Sequence, residues 1–80
     1  MSDGGGVKRR YAVVRAPTDG VVSFIAASSG ATVSAGEEIM GIEVMKMIYP
    51  VKAPVGGTVE FTVKVGEMVT VEQTVAKVFV

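Results

Sequence analysis

Cysteine, histidine, leucine and tryptophan are all missing from this 80-residue chain. Without cysteine there is neither a disulfide framework nor a thiolate metal site. Without histidine the commonest general base and the commonest zinc ligand are gone. A chain without leucine but rich in Val and Thr is β-forming, not helical. Charge of either sign is not in excess, because the formal net charge is zero. That balance offers no electrostatic grip on nucleic acid. No apolar run is long enough to span a membrane as a helix and no signal-peptide pattern is visible. The expectation is therefore a cytoplasmic protein with no membrane or nucleic-acid partner. Eighty residues make one small domain, near the lower limit that a single core stabilises without staples.

What is present begins with a tail. Residues 1–10 open with Ser2-Asp3-Gly4-Gly5-Gly6, which can bury nothing and is flexible by composition. Lys8-Arg9-Arg10 reads as a solvated lead-in to the first strand. The glycine run lacks a strand-to-helix context and is not a phosphate loop.

Residues 11–80 form the folded domain, and they repeat themselves. Arg15-Ala16-Pro17-Thr18-Asp19-Gly20 and Lys52-Ala53-Pro54-Val55-Gly56-Gly57 share a basic-Ala-Pro-x-x-Gly pattern at an offset of 37. Val22 then matches Val59, and Phe24 matches Phe61. The offset drops to 36 where Gly30 matches Gly66, Val33 matches Val69, Ile39 matches Val75 and Ile42 matches Val78. Turn signals cut each copy into four short strands. In the first copy they fall at Tyr11–Arg15, Val21–Ile25, Thr32–Val33 and Ile39–Val44. In the second they fall at Met47–Lys52, Thr58–Val63, Met68–Val69 and Thr74–Val78. Alternation such as Val59-Glu60-Phe61-Thr62-Val63 gives each copy one apolar face that it cannot bury alone. The expected fold is all-β, with two sheets packed face to face about a quasi-two-fold axis and Phe24 equivalent to Phe61. Gly20, Gly30, Gly57 and Gly66 read as turn residues needing permissive φ.

The two copies meet at Glu43-Val44-Met45-Lys46-Met47. Read as a hairpin, this run places Met45 and Lys46 at a two-residue tip. Such tips require φ > 0 and favour Asn-Gly or Asp-Gly. A residue with a Cβ costs about 1–2 kcal/mol there, and exposed methionines forgo burial worth up to about 3 kcal/mol each. A tip that breaks local rules without structural gain is a candidate functional site. Its one reactive group is the Lys46 amine, placed at one end of the molecule, with the chain termini expected at the other.

These residues carry a family resemblance. Glu43-Val44-Met45-Lys46-Met47, followed by Lys52-Ala53-Pro54-x-x-Gly57, resembles the biotinyl domain, the biotin carboxyl carrier member of the biotin/lipoyl attachment family. The resemblance covers nearly all of residues 11–80 and implies a flattened eight-stranded barrel-sandwich hybrid. It also implies a carrier, not a catalyst. A biotin protein ligase would attach biotin covalently to Lys46, with Glu43, Val44, Met45 and Met47 presenting the acceptor. The biotin would shuttle carboxyl groups from a biotin carboxylase to a carboxyltransferase of a biotin-dependent carboxylase. Such a domain supplies a rigid base, a tether and a raised effective concentration at each station.

The chain departs from the family pattern in places. Ile48-Tyr49-Pro50 stand where polar residues are usual, and Val71-Glu72 replace a Pro-Gly-like turn. There is no room for the extra "thumb" loop of many bacterial carrier subunits. Tyr49 reads as a sheet-face aromatic or as part of an apolar rim, with Ile48, Met45 and Met47, that meets a partner. Two other functions use the same fold: a lipoyl carrier, whose tip typically reads Asp-Lys-Ala, and an unmodified interaction module.

Overall fold

The computed structural model describes residues 10–80, so the expected tail over residues 1–10, apart from the exposed Arg10, lies outside the described residues. All regular structure in it is β, in eight strands. They are β1 (Tyr11–Arg15), β2 (Gly20–Ile25), β3 (Thr32–Val33), β4 (Glu38–Val44), β5 (Met47–Lys52), β6 (Gly57–Phe61), β7 (Met68–Val69) and β8 (Thr74–Phe79). Each expected strand is there, four with the expected bounds and four with an end shifted by one or two residues. The largest difference is β6, which stops at Phe61 although Val63 beyond it is still buried. Among the described residues no helix is long and apolar enough to cross a membrane.

Two antiparallel four-stranded sheets pack together, with orders β1-β8-β6-β3 and β5-β4-β2-β7. Exchanging the first four strands for the last four converts one order into the other. The internal repeat is thus a topological two-fold. Each sheet mixes both copies, and that mixing is what lets two half-buried faces close on one core.

Backbone hydrogen bonds obey the same symmetry. Gly30 N–H donates to Val59 O at 2.7 Å, and Gly66 N–H donates to Val22 O at 2.8 Å. Gly36 N–H reaches Ala53 O, and Glu72 N–H reaches Ala16 O, both at 2.8 Å. Every one of these bonds joins a turn of one copy to a strand or turn of the other. These backbone groups find their partners only when both copies are in place. The side chains at matching turns also agree: Ser34 N–H donates to Glu37 Oε1 and Thr70 N–H to Gln73 Oε1.

The core is built from matched pairs. Val14 and Val51, Ala16 and Ala53, Val22 and Val59, Val33 and Val69, Ile39 and Val75, and Ile42 and Val78 are all buried. Val and Ile suit this interior because β-branched side chains lose little on a pleated surface. Ile39 and Val75 sit at matching register shifts, where β4 and β8 carry one extra residue against β5 and β1. These bulges allow two consecutive residues, Ile39-Met40 and Val75-Ala76, to be buried in a strand that would otherwise alternate.

A third register shift, in β2, has no counterpart and corrects one expectation. Val22 pairs with Ile42 but Phe24 already pairs with Gly41, leaving Ser23 as an inserted residue. The change of offset therefore falls at Ser23 and not later in the loop before Gly30. Phe61 pairs with Ala76, and the matching residue Met40 pairs with Ile25. Ile25, not Phe24, is the equivalent of Phe61, and both pack against the core. The inserted residue turns Phe24 outward.

Candidate functional site: the β4–β5 hairpin tip

β4 and β5 are paired through Val44 and Met47, so the connecting loop is Met45-Lys46 alone. Their φ values are 50° and 66°. With φ positive at both central residues the turn is of the I′ type, whose twist matches that of the flanking strands. The expected conformation is therefore adopted without an Asn or Gly. Met45 is 91% and Met47 62% exposed. Lys46 is exposed between them.

The strands fix where the remaining motif residues look. Ile42 and Val51 are buried, so side chains in phase with them face inward. Val44 is half-buried on that inner side. Glu43 faces outward, opposite Ile48 on one flank and Val21 on the other. Its carboxylate has no hydrogen-bond or salt-bridge partner among the described residues. Tyr49 lies opposite the fully buried Ile42 and in phase with Val51, so it faces the core side of an edge strand and is 40% exposed. Of the two readings open for Tyr49, the sheet-face aromatic fits this position. Ile48 faces outward and Met45 projects from the turn, while Met47, in phase with Tyr49 on the inner side, stays exposed beyond the end of the core.

Two glycines hold the base of the hairpin. Gly20 is a strand residue paired with Val69 and is not among the positive-φ positions. The reading of Gly20 as a residue needing permissive φ is therefore corrected. A Cβ there would stand 2.6 Å from Glu43 O and 2.7 Å from Val44 Cγ2. Glycine is used so that β2 can press against the last residues of β4. Gly41 is the second. A Cβ on it would meet Ile48 Cγ2 at 2.7 Å and the Phe24 ring closer still. Sequence reasoning passed over Gly41, although an isolated glycine inside a strand pattern is a known sign of close approach.

The neighbouring turn is pinned to the same end. Asp19 Oδ1 accepts from Val71 N–H at 2.6 Å, and Arg15 Nη1 donates to Glu72 O at 3.0 Å. Of the surface hollows, the groove between the edges of β1 and β5 is lined by the matched residues Val14 and Val51, Arg15 and Lys52, and Pro17 and Pro54. It holds about 170 Å³, less than the ~300–1,000 Å³ of ligand pockets, and Lys46 is not part of it. The chemistry this end can offer is an amine on a rigid support.

The fold is that of a small β carrier module with a lysine displayed on a strained tip. The chain belongs to the biotin/lipoyl attachment family, whose model, described as "Biotin-requiring enzyme", matches residues 13–78. Among solved structures it is similar to the urea carboxylase of Kluyveromyces lactis, at 27% identity and a TM-score of 0.81 over 90% of this chain. It is also similar to a single-chain, multi-domain long-chain acyl-CoA carboxylase, at 25% identity and a TM-score of 0.76 over 95% of this chain. The chain spans only 6% and 8% of those two proteins. It corresponds to a carrier domain within biotin-dependent carboxylases and not to a catalytic one, and biotin is the cofactor such domains carry covalently.

Proposed function

We propose that Lys46 is the attachment point, that a biotin protein ligase loads it, and that the loaded domain serves a biotin carboxylase and a carboxyltransferase. The observation that carries this reading is the Met45-Lys46 turn itself. Two residues with φ of 50° and 66° hold an amine clear of the sheets while both flanking methionines stay in solvent. Of the other described lysines, Lys52 and Lys77 lie within strands, where neighbouring strands narrow the approach, and Lys64 lies in the turn between β6 and β7, off the hairpin. Lys77 is further occupied over the Tyr11 ring, 4.9 Å from its centroid.

In the loading step the Lys46 amine attacks the carbonyl of biotinyl-adenylate, AMP leaves, and a group on the ligase takes the amine proton. Attack needs the nitrogen held about 3 Å from the carbonyl carbon, and a rigid two-stranded base supplies a fixed origin for that approach. Once bound, biotin supplies a ureido nitrogen that accepts a carboxyl group at one enzyme and releases it at another. The chain's own part is to keep the tether anchored and its root exposed. The exposed methionines beside Lys46, in place of the Asp and Ala of typical lipoyl tips, support biotin over lipoate.

The test is intact mass after separate exposure to a biotin ligase and a lipoyl ligase, followed by peptide mapping. Biotin on Lys46 alone is the expected result, with Lys46→Arg unlabelled yet folded. The double change Met45→Lys with Lys46→Met keeps composition but moves the amine one residue around the turn, and labelling should fall steeply. Lipoate in place of biotin, biotin on Lys52, or full labelling of the swapped tip would refute it.

A further inference from the structure

Two departures from the two-fold meet at one spot on the outer face below the tip. The first is the Ser23 insertion, which has no mate in the second copy and turns Phe24 outward. The second is Gly41. Its symmetry mate is Lys77, whose strand partner Glu60 holds the place of Phe24. Lys77 reaches over the ring of Tyr11, the mate of Ile48, with its amine 4.9 Å from the centroid. The second copy thus fits a long side chain where the first has none, and folding does not ask for glycine there.

What the hairpin copy gains is a brace across a strand. Phe24 of β2 pairs with Gly41 of β4, and Ile48 lies on the far side of β4, on β5. A Cβ on Gly41 would stand 2.7 Å from Ile48 Cγ2 and nearer still to the Phe24 ring. Ring and methyl group fill, from two sides, the space that a side chain would take. A residue of an inner strand thereby supports β5, an edge strand whose ladder partner is β4 alone. An empty position on the strand between them is what admits this close approach.

The brace stands at the root of the tip. The row Ile48–Glu43–Val21 is the last in which β2 lies alongside the hairpin in the ladder. Beyond it Val44 and Met47 pair with one another and carry the turn. Two-stranded ribbons are marginal by themselves and twist more than wider sheets. This one is held on its inner side by Val44, which packs against the core. On its outer side it is held at Ile48, by Phe24.

We propose that Phe24 is a positioning residue for the acylation of Lys46: acting through Ile48, it fixes the direction in which the hairpin offers the amine. In that step the amine nitrogen bonds to the carbonyl carbon of biotinyl-adenylate, the acyl–phosphate bond breaks, AMP leaves and the ligase takes the proton. The inference rests on the reading of Lys46 as acceptor, and the closing experiment separates the two.

The test is single-turnover transfer from a biotin ligase preloaded with biotinyl-adenylate, with the whole chain in excess and its concentration varied. Phe24→Ala should lower the saturated transfer rate about tenfold and leave the half-saturating concentration within about twofold, because the tip still binds but is misdirected. Phe24→Leu, which refills most of the space, should recover most of the rate. Phe61→Ala measures mere destabilisation: Phe61 packs against the core in the other copy, and its loss should lower Tm at least as much yet leave the rate unchanged. Ile48→Ala removes the other end of the brace, and combining it with Phe24→Ala should slow transfer no further than either alone. Should Phe24→Ala not fold, Ile48→Ala is held to the same comparison with Phe61→Ala. An unaltered saturated rate overturns the inference and leaves Lys46 standing as acceptor. A change confined to half-saturation overturns it too, by making Phe24 a ligase contact, and so does equal slowing in Phe61→Ala. Biotin found on another lysine of the unaltered chain overturns the acceptor reading and this inference together.

Discussion

Replacing the tip Met45-Lys46 by Asn-Gly should make the domain more stable while destroying its site. The magnitude follows from the two φ values, 50° and 66°. A residue with a Cβ loses about 1–2 kcal/mol in that region. Glycine at position 46 removes the penalty but adds about 0.5–1 kcal/mol of unfolded-chain entropy, a net gain of about 0.5–1 kcal/mol. Asparagine at position 45 tolerates the same region and should return about as much. Nothing is lost in packing, because Met45 is 91% exposed. The sum, about 1–2 kcal/mol, corresponds to a Tm increase of about 5–15 °C for a domain of this size. Thermal unfolding of the unmodified proteins by circular dichroism or calorimetry measures it. Met45→Ala alone, which keeps a Cβ at both positions, should leave Tm nearly where it was. An Asn-Gly variant that melts at or below the unaltered chain would show that the turn stores no strain, and the reasoning from strain to function would fail.

The same physics gives three smaller effects. Glu72 has φ of 70° where its symmetry mate Gly36 has 85°, so Glu72→Gly should add about 0.5–1 kcal/mol and raise Tm without altering biotin loading. Gly20→Ala should cost about 1–3 kcal/mol, because its Cβ would stand 2.6 Å from Glu43 O; denaturant midpoints would reveal it, and an unchanged midpoint would contradict the packing described. Tyr49→Ser should cost about 1–2 kcal/mol, since Tyr49 is partly covered on the core side of an edge strand, opposite Ile42; unchanged stability with weaker carrier turnover would instead make Tyr49 a partner contact.

Much of this was legible in the residues. The paired Ala-Pro-x-x-Gly segments exposed the repeat, and a repeat of unpaired half-buried faces leaves few options besides two packed sheets. The tip was legible because it violates turn chemistry. What escaped has a common cause, which is that register is a property of pairs of strands and not of one. Ser23 is an unremarked polar residue in the alternation of β2, and only its missing partner in β4 identifies it as inserted. Phe24 therefore looked like the mate of Phe61 by spacing, while the bulge turned it to the other face. Gly20 likewise sits next to a turn in sequence, but its reason for being glycine lies across the sheet at Glu43 and Val44.

The opposite end of the molecule shows that the strain at the tip is not required by the fold. Under the two-fold, Val44 and Met47 correspond to Val80 and Arg10, where the described chain begins and ends. There Val80 N–H donates to Arg10 O at 3.0 Å, repeating the strand pairing beneath the tip with no turn to close it. The adjoining pair, Tyr11 and Phe79, is held by ring packing at 5.3 Å between centroids, in the place that Ile48 and Glu43 occupy at the hairpin end. One end is thus held by strand pairing and aromatic contact, and the other is drawn shut by two residues ill suited to their backbone. Closing the hairpin end with ordinary turn residues would serve folding better. On the proposed reading Met-Lys stands there for presentation: the turn is the shortest connection that puts an amine beyond both sheets, on a base whose glycines and bulges are set by strands from both copies.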